Sequence, residues 1–277
     1  MEGSVFQYEF IIKGFLGAIF ASITAGLAGT YIVSRKMVFL SGGITHASFG
    51  GIGIGYFSGI NPVVGAAIFG ILSALGVEYL SVRQKIREDS AIGILWAFGM
   101  ATGIIFIYLT PGYTPNLMSY LFGSILTVTN ADIIALGVMS VILLFYFTIF
   151  YRTILYISFD EVFARTYSSH VNVFKYITTS LMALTIVLNI RMAGVVLVIS
   201  LLTIPPNIAM IFTRVYAKIV LWSILAGFIG ITAGYTISYF AGIPVGATII
   251  FTLVIIWIFA KIISQTMRRD EKTVKLV

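Results

Sequence analysis

Residues 41–62, SGGITHASFGGIGIGYFSGINP, decide how the rest of the chain is read. Seven of them are glycine, at positions 42, 43, 50, 51, 53, 55 and 59, and His46 is one of only two histidines in the chain. Long apolar runs flank the segment on both sides. A stretch so poor in large side chains gains little by facing lipid, so it is expected inside a helical bundle. As a helix it brings Gly51, Gly55 and Gly59 onto one face at four-residue spacing, which lets two membrane helices bring their backbones close. His46, Gly50 and Gly53 share a second stripe. An imidazole at membrane depth is costly. Faced by glycines, it reads either as part of an aqueous pathway or as a packed residue satisfied by a neighbouring hydroxyl or carbonyl.

Composition agrees with that setting. The chain of 277 residues is 59% hydrophobic and 10% charged, and its mean hydropathy of +1.05 lies far outside the range of soluble domains. It is expected to be an all-α, polytopic membrane bundle forming a single transmembrane domain over 1–277. With no basic leader before the first apolar run, that first span is expected to serve as the insertion signal. There is no cysteine, which excludes disulfides and thiolate metal sites. The net charge of +7 sits in short clusters between apolar runs, where it orients the chain and offers no nucleic-acid patch.

A crossing needs about 20 apolar residues, and that ruler gives about nine spans, with eight to ten compatible. They are 11–34, the glycine-rich segment, 63–82, 91–109, 133–151, 173–190, 193–213, 219–240 and 245–263. The apolar stretch 118–126 is too short to cross and is expected to be re-entrant or interfacial. With the Arg35 side cytoplasmic, alternation places 15 of the 17 Lys and Arg residues inside and only Lys13 and Arg191 outside. The multi-pass arrangement is N-terminus out and C-terminus in.

The connection 152–172 is long enough to hold an element of its own. Ser158 followed by Glu161 has the form of a capping box, with Asp160 and Glu161 placed to meet the positive end of a helix. Phe159, Val162, Phe163 and Tyr167 repeat at helical spacing and form one apolar face. So short a helix needs a docking surface. A helix lying on a membrane surface carries mainly Lys and Arg on its polar face. Here that face offers Asp160, Glu161 and Arg165, which favours a groove on a soluble cytoplasmic protein.

Span 193–213 contains Pro205 and Pro206. Each lacks an amide hydrogen, so the carbonyls of Leu201 and Leu202 lose their donors and a kink or opening is expected. Exposed carbonyls there would line a passage, with Asn207 and Thr45 as polar neighbours. The alternative is a kink repaired by Thr203, Asn207 or water. No carboxylate lies mid-span, which argues against a proton- or sodium-driven carrier. No phosphate-binding glycine loop is present, so nucleotide hydrolysis is expected on other chains and this chain is not expected to be an enzyme.

Five motifs in order resemble the membrane permeases of bacterial ABC importers for zinc, manganese and iron, the ABC-3 family. They are RKMVFLSGGITHASFGGIGIG, REDSAIGILWAFGMATG, SFDEVFARTYSSHVNV, RMAGVVLVISLLTIPPNIAMI and GIPVGATIIF. The resemblance implies a type II-like importer fold in a bacterial or archaeal cytoplasmic membrane. It implies a homodimer, two cytoplasmic ATP-binding subunits carrying ATP-Mg, and an extracytoplasmic metal-binding protein. It makes the segment around Phe159, Asp160, Glu161, Val162, Phe163, Arg165 and Tyr167 the coupling helix, and it makes a divalent metal the cargo rather than a bound cofactor. The family commonly reads D-A-I-S-H-A. Here Gly42 stands at the aspartate position and Thr45 at the serine position, with His46 retained. One imidazole is too few ligands for a firm metal site, so contact with the cargo is expected to be weak and transient. An ion-coupled carrier or channel, and a permease for an iron chelate, are the alternative functions.

Overall fold

A computed structural model describes residues 9–112 and 128–274, with side chains for 12–266 within those limits. Among the described residues there are eleven helices and no strands. In chain order they are α1 (Glu9–Ser34), α2 (Val38–Ser58), α3 (Pro62–Val82), α4 (Glu88–Leu109), α5 (Asn130–Ile149), α6 (Tyr151–Phe159), α7 (Glu161–Tyr167), α8 (Val171–Ala193), α9 (Val195–Phe212), α10 (Tyr216–Ala241) and α11 (Val245–Val274).

Eight of these are long and apolar enough to cross a membrane: α1, α3, α4, α5, α8, α9, α10 and α11. The glycine-rich α2 is as long, at 21 residues, but its glycines, hydroxyls and histidine make it less apolar. It is enclosed by its neighbours instead, with Leu40 to Thr45 all buried. Residues 118–126 fall outside the described residues. The connections from α1 to α2, α2 to α3 and α3 to α4 are short. The junction of α3 and α4 and the start of α8 share one end of the bundle, where Lys175 meets Glu78. Arg191 near the end of α8 pairs with Asp132 at the start of α5, 2.8 Å apart, at the other end. The end of α4 and the start of α5 therefore lie at the same end of the bundle.

Two groups of helices make up the bundle. In one, α2 packs against α3 and α4; in the other, α1 packs against α5, α9, α10 and, more lightly, α8. Helix α8 also packs on α3, and α9 on α2, joining the groups. The centre of the molecule is shared between α2 and α1, whose apolar stretch is 72% buried, more than any other of the eight. Its inner face is small (Ala18, Ala21, Ser22, Ala25, Ala28), so neighbouring backbones approach closely.

The glycines of α2 divide by role. A Cβ on Gly51 would overlap the backbone of Gly65 in α3, and one on Gly55 would stand 2.8 Å from Pro62 Cα. Gly59 does not join that packing face: it ends α2 in the left-handed conformation, at φ 70° with open space around it, and caps the helix. The His46 stripe is a packing face too, with a Cβ on Gly53 reaching 2.5 Å from the Gly103 carbonyl of α4.

Helix α9 does not open at its prolines. It runs unbroken from Val195 to Phe212 with Pro205 and Pro206 buried inside it. The Leu202 carbonyl, freed by Pro206, is directed at Gly29 of α1, where a Cβ would overlap it. The Asn207 amide donates back to the Thr203 carbonyl at 2.8 Å. Leu201 and Leu202 are buried. The helix therefore stays closed at its prolines, with Asn207 bonded to Thr203 rather than to the carbonyls of Leu201 and Leu202.

Candidate functional site

At the end of the bundle that carries Arg35, the chain leaves α5 at Phe150, runs through α6 and turns into the seven-residue α7. Asp160 is the N-cap, its carboxylate accepting from the Phe163 amide at 3.0 Å. The capping box expected from Ser158 does not form. Ser158 closes α6 and donates its hydroxyl to the Ile154 carbonyl at 2.6 Å, because α6 continues past it to Phe159. Phe159 therefore belongs to the helix before the short one.

Ala164 seats α7 among Ile157 and Val171, with Tyr156 and Phe174 alongside. Tyr156 meets Phe163 and Tyr167 edge-on, at 5.1 and 5.0 Å. One side is thereby fixed to α6 and α8. Phe163 and Tyr167 stay about half exposed beyond that contact, and Val162, at 76%, and Phe159 of α6 are exposed as well. The four apolar residues read from the sequence are thus largely exposed, with Phe159 meeting Tyr216 edge-on.

Glu161 turns inward instead of joining a solvated polar face. Its carboxylate lies 2.9 Å from Lys175 Nζ of α8 and 3.6 Å from Arg35, just beyond α1. Lys175 also reaches Glu78 of α3 at 3.3 Å, and Arg35 stands 3.9 Å from Glu78. The Thr179 hydroxyl donates to Glu78 at 3.3 Å. Arg165 closes the outer side, donating to Glu161 at 2.8 Å and to Asn172 at 3.0 Å. Arg35, Lys175 and Arg165 surround Glu78 and Glu161 in an ion-paired, largely buried cluster, the condition under which charges are tolerated away from water. Burial acts to raise the Glu161 pKa, but hydrogen bonds from Lys175 and Arg165 and the nearby positive charges outweigh it, holding the carboxyl below its ordinary range. Beside the cluster a cavity of about 390 Å³ is lined by Arg83, Arg165, Lys175, Asn172 and Tyr176. Sequence reading placed Glu78 near this end without finding its partners. The signal was available in the rarity of a carboxylate inside an apolar span.

A second set of polar groups lies at membrane depth. The His46 imidazole stacks on Trp96 of α4, with ring centres 4.3 Å apart and planes 6° apart. Its Nδ1 is buried without a hydrogen-bond partner among the described residues. Gly42, one turn earlier, faces Trp96 and Ile199 of α9 at ordinary contact distance, 3.8 and 3.9 Å from an added Cβ. From there α9 carries Ser200, Thr203 and Asn207 along one half-buried stripe, each bonded back along its own helix. Thr45 is buried, its hydroxyl donating to the Ser41 carbonyl. Thus His46 on α2 and Asn207 on α9 are each half-buried, whereas Thr45, Leu201 and Leu202 are buried. Among the described residues no cluster of three or more His, Asp or Glu side chains is arranged to hold a metal ion.

Comparison with known proteins places this geometry. A model of the ABC 3 transport family matches residues 7–264. The manganese transport system membrane protein MntC of Listeria monocytogenes is 31% identical over 94% of this chain and 92% of its own length. The manganese import system permease protein ScaB of Streptococcus gordonii is 29% identical, covering 97% of this chain and 96% of its own. Among solved structures, a chain of PsaBC from Streptococcus pneumoniae in complex with Fab superposes with a TM-score of 0.82 at 27% identity, over 92% of each chain.

Proposed function

Because the chain belongs to the ABC 3 transport family, we propose that it is the membrane permease subunit of an importer for a divalent transition metal, manganese or zinc, driven by ATP hydrolysed on separate cytoplasmic subunits. The names of its manganese-transporting relatives support the choice of cargo. In this reading two copies pair, an extracytoplasmic protein delivers the metal, and the N-terminus lies outside with the C-terminus inside.

The observation that carries the reading is α7: a short helix seated on the bundle through Ala164, with Val162, Phe163 and Tyr167 exposed and Phe159 of α6 exposed beside them. An uncovered apolar face on a rigidly seated helix fits a groove on a soluble motor. Closure of the motor pair would displace α7 and tilt the bundle between outward- and inward-open states. The metal would pass His46 and the Ser200–Thr203–Asn207 stripe at the interface between copies. His46 Nδ1 has a free lone pair to offer, but it becomes accessible only when Trp96 or α2 moves, which suits a transient contact.

Co-reconstitution with the ATPase partner tests this. Accumulation of manganese or zinc is expected only with ATP in the compartment holding the ATPase. Equal accumulation by the chain alone in nucleotide-free vesicles would overturn the reading.

A further inference from the structure

Helix α7 is held by two kinds of contact. Its apolar seat, through Ala164, reaches α6 and α8, its neighbours in the chain. The ionic contact reaches further, since Glu161 is paired with Arg35 at the end of α1 and with Lys175, which is shared with Glu78 of α3. Helices α1 and α3 belong to different halves of the bundle. The four charges thus gather both halves and the exposed helix at one point.

Charge suits this place better than apolar packing. Apolar surfaces are non-directional and let one helix slide over another. A buried charge separated from its partner is heavily penalised, so such a cluster moves as a unit or exchanges partners in discrete steps. The geometry already contains the exchange, because Lys175 and Arg35 each contact both carboxylates. If Glu161 withdraws with Arg165, Arg35 and Lys175 remain with Glu78 as their shared carboxylate. Small displacements at α7 are thereby converted into a choice between two arrangements, the behaviour that amplifies motion in packed proteins.

We propose that Glu78, Lys175 and Arg35 are positioning residues for coupling: together with Glu161 they form the joint through which movement of the short helix reaches both halves of the bundle. This rests on the permease reading above. None of the three contacts cargo or nucleotide in this role; they act by fixing where α7 sits relative to α1, α3 and α8.

The test uses the full complex with its ATPase partner in vesicles, reading manganese ions imported per ATP hydrolysed. The double variant Glu78→Gln with Lys175→Met removes the pair without leaving a bare charge. It is expected to hydrolyse ATP but to import about tenfold fewer ions per ATP, whereas Lys175→Arg, which keeps the charge, retains the ratio. A merely structural role would lower import and hydrolysis in parallel, so an unchanged ratio in the double variant overturns the proposal. Should that variant not assemble, Glu161→Gln, at the more exposed end of the cluster, is read by the same ratio with the same two outcomes. Phe163→Asp separates this from the premise. If it leaves ATPase association and ATP-driven uptake intact, the coupling reading itself fails, whatever the ratio in the ionic variants.

Discussion

Gly51 and Gly65 face each other across the crossing of α2 and α3 so closely that a Cβ on either would overlap the carbonyl group of the other. Backbone-to-backbone approach of this kind replaces the hydrophobic effect as the source of helix association in lipid. It also makes the glycines unequal.

Gly51→Val is therefore expected to destabilise the bundle by about 1–3 kcal/mol or more, the cost of forced overpacking. Gly93, in the middle of α4, has open space around its Cα and ordinary helical geometry. Gly93→Ala is expected to be neutral or stabilising by up to about 1 kcal/mol through helix propensity. Thermal unfolding of the purified variants in detergent distinguishes the two, and similar melting temperatures would show that the close crossing is not tight.

The docking of α7 should depend on pH in one direction. The Glu161 pKa is held below that of the unfolded carboxyl, so its contribution is fully present above the unfolded value of about 4.3 and is lost as pH falls through the folded value. Arg35, Lys175 and Arg165 face the Glu161 carboxylate, and Glu78 and Glu88 lie beside the same cations. Hydrogen exchange at the α7 amides is expected to be flat, after correction for intrinsic rates, from about pH 5 to 8, and to lose protection below the folded Glu161 pKa. A loss of protection centred near neutrality would assign the docking to another group.

Gly42 leaves room for a larger side chain. A Cβ there makes only ordinary contact with Trp96 and Ile199, and the position lies one turn before His46. Gly42→Asp should fold and should tighten manganese retention by supplying an oxygen ligand beside the imidazole. His46→Ala in the same background should cancel that gain and lower uptake more than it lowers the amount of folded protein. Unchanged metal retention in Gly42→Asp would remove His46 from the pathway.

The absence of native cysteine makes orientation directly testable. Ile60 and Arg83 are exposed at opposite ends of α3. With a membrane-impermeant maleimide on intact cells, Ile60→Cys should label and Arg83→Cys should label only after permeabilisation. The reverse pattern would invert the arrangement.

The spans were legible because length and hydropathy are properties of a run of residues and need no partner. Eight of the nine expected runs satisfy those criteria as helices, and the ninth, α2, has the length and is shielded by its neighbours. The exposed face of α7 was legible for the same reason, from spacing alone. Its cap was misread because Ser158 and Asp160 are both good N-cap residues, and the choice between them depends on where α6 stops. Pro205 and Pro206 allowed either an opening or a repaired kink, because their local rule, loss of two donors, says nothing of the neighbouring helix, where Gly29 leaves room for the Leu202 carbonyl. Gly59 read as packing because spacing does not reveal backbone conformation.

The order of residues by itself determined that this chain is a multi-span helical bundle with its basic ends on one side and a short amphipathic helix between two spans. Those outcomes follow from solvation energies summed over consecutive residues. Only the tertiary structure decided that Glu78, Lys175, Arg35 and Glu161 share one cluster, and that His46 rests on Trp96 instead of on the glycine stripe. Ion pairing and ring stacking depend on distances between side chains up to 126 positions apart in the chain, from Arg35 to Glu161. Those distances exist only once backbones such as Gly51 and Gly65 have been brought into contact.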